Sequence, residues 1–320
     1  MHKYVLLSML HTSILNDWYR NPPDDTSRPL RSSWKWPHFP GMHDPSDGIP
    51  EEVYKELVRY TKYASGAYQV LCPRPMGNVL VTQFTDVITA TQGFVARDDT
   101  RNELVVSFRG SREITSAIID TSLVLSTLRG PGLPKNTDAH VHTGFLYAFK
   151  SVGEFVLDAL REQFEKYPQY DVVGAIACIA ALSIRNSFPE VALRLFTLGQ
   201  PRTGDHSFAE LVEIMIGIDN IFRGVHSFGM FRVRTFFIYL TPYLDGVPTM
   251  IPTRLGYRHH ATEYWQFTEP PAPRHVRRCV GGEDPEGSAS IPSTGINLPH
   301  MVYFEQHMGK QLQSDPTVCI

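Results

Sequence analysis

Few groups in this chain stand at spacings that do chemistry without help. His259 and His260 invite a metal reading. Neighbours on an extended chain point to opposite sides, however, and no further ligand stands at metal spacing, so structural roles are expected for both. The cysteines, Cys72, Cys178, Cys279 and Cys319, form no C-x-x-C pair, which argues against structural zinc. Cys72 and Cys319 could tie the start of a fold to its end, but four cysteines allow several pairings. Taken singly, His300 reads as a surface or capping residue, and Ser111 as a helix cap after a strand. Asp245, in Asp245-Gly246-Val247-Pro248, reads as a turn former. No metal and no cofactor is expected.

The elements that would position such groups are easier to read. Pro50 sits at a first helical position, with Glu51 and Glu52 behind it, and Val53, Leu57, Tyr60 and Ala64 follow at helical spacing. These predict an amphipathic helix over Pro50–Ser65. Apolar runs at Gly93–Ala96, Leu104–Phe108, Val172-Val173, Val191–Thr197 and Ile221–Val225 are bounded by turn residues and predict strands, with Asp98–Asn102 as a hairpin turn. Phe149, Val152, Val156, Leu160 and Phe164 share one face of a helix over Phe145–Tyr167, which Pro168 ends. Ala175–Ile184 is almost wholly apolar, as a buried helix would be. Strand–helix alternation predicts an α/β domain, its central sheet mostly parallel and flanked by helices.

Residues 19–49 are rich in Pro, Asp, Ser and Arg without a period, so 1–48 is expected to be an irregular arm and 49–320 the domain. Met1–Leu10 starts like a short secretion signal, but His11, Thr12 and Ser13 interrupt it and no small-x-small cleavage site follows. The best candidate for a membrane span, Phe231–Leu244, contains Arg232, Arg234 and Pro242, so no transmembrane segment is expected. The 320 residues are 42% hydrophobic and 20% charged, and 30 Lys+Arg against 33 Asp+Glu leaves a net charge of −3. That balance speaks against nucleic-acid partners.

From about Tyr63 onward the chain resembles the fungal lipase family, the class 3 lipases of α/β-hydrolase fold, which includes feruloyl esterases. The matching segments are Ser107–Ser111 (SFRGS), Val141–Phe145 (VHTGF), Leu195–Gly204 (LFTLGQPRTG), Asp245–Pro248 (DGVP), Gly256–Trp265 (GYRHHATEYW) and Ile296–Phe304 (INLPHMVYF). Each is weak alone; their order is specific. The resemblance implies hydrolysis of a carboxylic ester, of triacylglycerol, feruloyl or another type, at a lipid–water interface by a secreted monomer. It implies that His300 is the general base, Asp245 the acid that orients it, and Ser111 a donor to the oxyanion. Arg112–Ser122 occupies the place of the family's mobile lid, where Ile114, Ala117, Ile118 and Ile119 would face either lipid or core.

Two departures matter. The family's nucleophile elbow, G-x-S-x-G, is absent. Where relatives read approximately V-V-V-T-G-H-S-L-G-G-A, this chain reads Tyr170-Asp171-Val172-Val173-Gly174-Ala175-Ile176-Ala177, as if about seven residues were cut out. Ser183 lies about eight residues, roughly 12 Å, into the following helix and Cys178 also falls inside it, so neither is at an elbow. The chain as written is therefore expected to be inactive, whether as a lipid- or ester-binding pseudoenzyme, a misfolded product or the product of a faulty gene model. The second departure is Gly229–Leu244, which separates His226-Ser227-Phe228 from Asp245 where relatives run directly from H-T-F-D into G-V-P. Its codons can spell a GTATGT donor at Gly-Met-Phe, a CTGAC branch point and an AG acceptor at Leu244-Asp245. It therefore reads as either a retained in-frame intron or a genuine loop. A lesser departure is Glu286, where relatives often carry a Cys, which leaves Cys279 without an assured partner.

Overall fold

Strands form where the sequence is apolar on consecutive residues, because the sheet is covered on both faces. The computed structural model describes residues 48–110, 123–174, 178–226, 245–291, 298–308 and 318–319. Residues 1–47, Ser111 with the rest of 111–122, the 229–244 stretch and Ala175–Ala177 lie outside them. The strands are β1 (Val79–Asp86), β2 (Thr91–Asp98), β3 (Glu103–Phe108), β4 (Asp171–Gly174), β5 (Leu193–Leu198), β6 (Ile221–His226), β7 (Glu263–Gln266) and β8 (Val276–Arg278). They make one eight-stranded sheet in which each strand lies beside its predecessor. The run β3 to β7 is parallel, whereas β1–β2–β3 and β7–β8 pair antiparallel.

Period-two alternation sorts the strand residues into two cores. Val95, Leu104, Val172 and Leu195 pack under α2 (Thr143–Lys166), α3 (Cys178–Ser187) and α4 (His206–Ile216). Their neighbours Phe94, Val105, Val173 and Phe196 pack on the opposite face under Leu57, Tyr60 and Tyr63 of α1 (Glu51–Gly66). α2 leaves its amphipathic face buried from Leu146 to Leu160, as its spacing predicts. The described part of α3 is apolar on all sides and buried from Cys178 to Ile184.

β4 is the exception in length. Its four residues pair with Glu103–Val105 on one side and Leu193–Leu195 on the other. β3 continues through Val106, Ser107 and Phe108, and β5 through Phe196, Thr197 and Leu198, with no β4 residue opposite them. At the domain's edge Arg74–Pro75 pairs in parallel with Val318–Cys319, and Cys72 and Cys319 form a disulfide across 247 residues of sequence. Cys178 and Cys279 are free and buried.

Candidate active site

In open α/β sheets functional groups gather beyond the carboxyl ends of the strands. β6 ends at His226, and the backbone N–H of Asp245 donates back to the His226 carbonyl at 3.3 Å. Asp245 is fully buried. Its Oδ1 accepts from the Val247 amide at 3.1 Å, so the turn-forming role of this residue is real and coexists with a second one. The same Oδ1 lies 3.1 Å from His300 Nδ1. His300 stands in the short 3-10 turn Leu298–Met301, with its side chain about one-eighth exposed (12%). The structure thus brings together two of the three site residues expected from sequence; Ser111 lies outside the described residues.

Tyr303, to which sequence reasoning assigned no role, completes the pair. Its Oη donates to Asp245 Oδ2 at 2.6 Å and lies 2.9 Å from His300 Nδ1. Burial, and then the Asp245 charge, push the phenol well above its ordinary pKa, so it remains a donor. With Asp245 Oδ1 and Tyr303 Oη both facing Nδ1, that nitrogen carries the proton, and Nε2 is left as the basic nitrogen. Nε2 has no partner among the described residues. The signal for Tyr303 was its spacing, three residues past His300 on one short turn, and the rule that a buried Tyr hydroxyl finds a partner.

Gly199 allows this packing. It follows β5 with φ +55°, and a Cβ there would stand 2.0 Å from Tyr303 Oη and 2.6 Å from His300 Nδ1. Only glycine fits both the dihedral and the space. His226 anchors the other side: its Nδ1 donates to the Val302 carbonyl at 2.7 Å, and its Nε2 lies 2.7 Å from Glu269 Oε1.

In front of His300 is a cavity of about 230 Å³. Its walls include Phe108, Phe145, Phe149, Phe196 and Leu198, and its polar edge Thr197, Gln200, His300 and Tyr303. Phe108 and Phe196–Leu198 are the residues of β3 and β5 that run past the end of β4, so the cavity opens where the sheet is cut short. Cys178 also lines it as the first described residue of α3, a more forward place than a position deep inside the helix. Its thiol is pushed up to about 11 by burial, which leaves it a poor nucleophile. Ser183 points away, donating to the Pro131 carbonyl at 2.8 Å.

His259 and His260 go to separate partners, as their adjacency implies. His259 Nε2 meets the Pro248 carbonyl at 2.9 Å, and His260 Nε2 meets Gln200 Nε2 at 3.1 Å. Burial and Arg223 hold His260 down at about 4.

A largely parallel sheet covered by helices on both faces, with a buried Asp–His pair beyond its carboxyl edge, is an α/β-hydrolase fold. Solved structures agree: a triacylglycerol lipase from Penicillium expansum superposes with a TM-score of 0.70 at 22% identity, over 82% of this chain and 97% of that one. A lipase from Rhizopus microsporus var. chinensis gives 0.66 at 27% identity, over 82% and 90%. In sequence the chain is 29% identical over 277 residues to the lipase of Rhizomucor miehei, covering 79% of this chain and 69% of that protein. It is 27% identical over 297 residues to the lipase of Rhizopus oryzae, covering 83% and 69%. The class 3 lipase family model matches residues 105–230, and its match stops as the 229–244 stretch begins. Over that stretch the chain is similar to the class 3 lipases, as it is to the lipases of Rhizomucor and Rhizopus.

Proposed function

We propose that this chain keeps the ester-recognising half of a lipase site and lacks the half that does the hydrolysis. In an intact relative a serine attacks the ester carbonyl, and the histidine takes its proton and returns it to the leaving alcohol. His300 stands in that role here, with Asp245 and Tyr303 setting its tautomer and Asp245 balancing the imidazolium. Ser111 would donate to the oxyanion, and 112–122 would cover the cavity as a lid at a lipid surface. The substrate class is a carboxylic ester of a lipid. Extracellular residence is supported by relatives named as secreted in Gibberella zeae and Penicillium cyclopium, and by the Cys72–Cys319 disulfide, since oxidising compartments favour such bonds. A monomer is the proposed state.

The observation that carries the reading is an assembled Asp245–His300 pair beside a cavity, in a chain that contains no G-x-S-x-G anywhere. The test is turnover of p-nitrophenyl butyrate together with labelling by a fluorophosphonate. Neither should exceed the protein-free control; one label per chain would contradict the proposal.

A second reading has one observation behind it. The bond from Asp245 N–H to the His226 carbonyl means that residues 227–244 leave and return to one point. With Gly229–Leu244 removed, His226, Ser227, Phe228 and Asp245 become four consecutive residues, and this bond is then the i to i+3 bond of a β-turn. The stretch behaves as an excisable insertion, which suits a retained intron. Transcripts that skip it would support that origin; genomic sequence without GTATGT at Gly229 would remove it.

A further inference from the structure

Among the described residues the charge around the cavity is one-sided. Of those that line it, Arg109 and His300 are the ones that carry or can take a positive charge, and none is Asp or Glu. Asp245 stands behind His300, fully buried, its oxygens already accepting from Val247, Tyr303 and His300. Arg109 donates to two neutral acceptors, Gln92 Oε1 at 3.1 Å and the Ala90 carbonyl at 2.9 Å, and has no carboxylate partner among the described residues. On the same wall the buried Thr197 Oγ1 has no hydrogen-bond partner among the described residues. The remaining wall is aromatic and aliphatic.

A neutral ester would leave that positive side without a counter-charge in a poorly solvated space. An anion would supply one, and hydrogen bonds between charged partners are the strong ones. In an active relative the basic nitrogen of this histidine faces a serine hydroxyl; here Nε2 has no such neighbour among the described residues. We infer that the cavity is a receptor for a free carboxylic acid with an apolar tail, holding the ionised acid at His300 Nε2 in preference to its ester. On binding, Nε2 takes one proton from solution or from the acid itself, and the carboxylate pairs with the imidazolium, which Asp245 balances from the other side. Thr197 Oγ1 is placed to donate from the cavity wall, and the tail lies against Phe145, Phe149 and Phe196. The volume is below the roughly 300–1,000 Å³ of a drug-sized ligand site, which suits a short chain. This inference rests on the absence of the nucleophile.

The test is calorimetric titration of the full chain with octanoate, octanamide and methyl octanoate, and with cinnamate to compare an aromatic tail. Octanoate or cinnamate should bind at least tenfold tighter than both neutral compounds. His300→Gln and Arg109→Gln should each reduce that ratio several-fold. Both variants are first checked for unchanged thermal unfolding; if one fails to fold, the other carries the test. Equal affinity for acid and amide, or a ratio that neither variant moves, overturns the inference. If no acid binds and no fluorophosphonate label appears, the receptor is refuted and the silent-hydrolase reading stands. A label on the unaltered chain refutes that reading instead.

Discussion

His300, paired with Asp245 beyond β6, and Cys178, the first described residue after β4, line the same cavity, and the two regions are built in opposite ways. Beyond β6 the chain is over-determined: Asp245 is held by Val247, Tyr303 and His300, His300 by Gly199's missing side chain, and the 299–302 turn by His226. Each group fixes another, so a single geometry is specified there. Beyond β4 the neighbours outrun the strand, Thr197 Oγ1 lacks a partner among the described residues, and α3 offers a desolvated Cys178 and a Ser183 bonded elsewhere. An insertion in a surface connection costs loop-closure entropy that grows only slowly with length. A deletion in a central strand removes ladder pairing and the strained turn that would present the nucleophile. The departure that is smaller in sequence count has the larger chemical consequence.

The largest expected effect comes from repairing the weaker end. Inserting Val-Thr-Gly-His-Ser-Leu-Gly between Val173 and Gly174, together with deletion of Gly229–Leu244, should raise p-nitrophenyl butyrate hydrolysis by at least ~10³-fold. Failure of a well-folded repaired chain to hydrolyse would mean that the β6 end is not poised for catalysis. Deleting Gly229–Leu244 alone should stabilise the fold by about 2 kcal/mol, because the closed loop shortens from 227–244 to Ser227-Phe228. Calorimetry would read this as a rise of a few degrees in Tm, and a fall would make the stretch part of the fold.

The buried His260 predicts an acid limb. His260 sits near 4 in the fold against about 6.5 when unfolded. Between those values the unfolded chain binds more protons, so stability rises with pH across the window and is lost on acidification. Going from pH 7 to pH 5 should cost about 2 kcal/mol through this residue alone. His259, also held below its ordinary value, adds to the loss. His260→Gln should flatten the limb in denaturant titrations at the two pH values. The smallest effect is that of Tyr303→Phe, which leaves Asp245 Oδ2 without its donor and should lower stability by about 1 kcal/mol. In the repaired chain it should reduce kcat more than it changes KM.

Much of the fold was legible because central parallel strands are apolar on consecutive residues, and β3, β5 and β6 announced themselves that way. The edges did not. β1 alternates weakly and leaves Val79 exposed, while β7 and β8 carry Glu263 and Arg278, whose partners Arg223 and Asp219 lie far along the chain. α4 had a readable signal that went unused: Asp205 caps it through the Phe208 amide, and Phe208, Ala209, Val212 and Ile216 recur at helical spacing. Of the site, Asp245 and His300 were visible only through family motifs, because 55 residues separate them and neither spacing nor composition joins them. The Cys72–Cys319 pairing needed the fold, and so did the place of Cys178 on the cavity wall.

Asp245 and His300 are paired, and the chain has no G-x-S-x-G to set a serine beside them. Intact-mass analysis after fluorophosphonate treatment, run in parallel on this chain and on the repaired chain, tests this account most directly. The account predicts no adduct on the first and a single adduct at the inserted serine on the second. An adduct on the unaltered chain at one-to-one stoichiometry would contradict it.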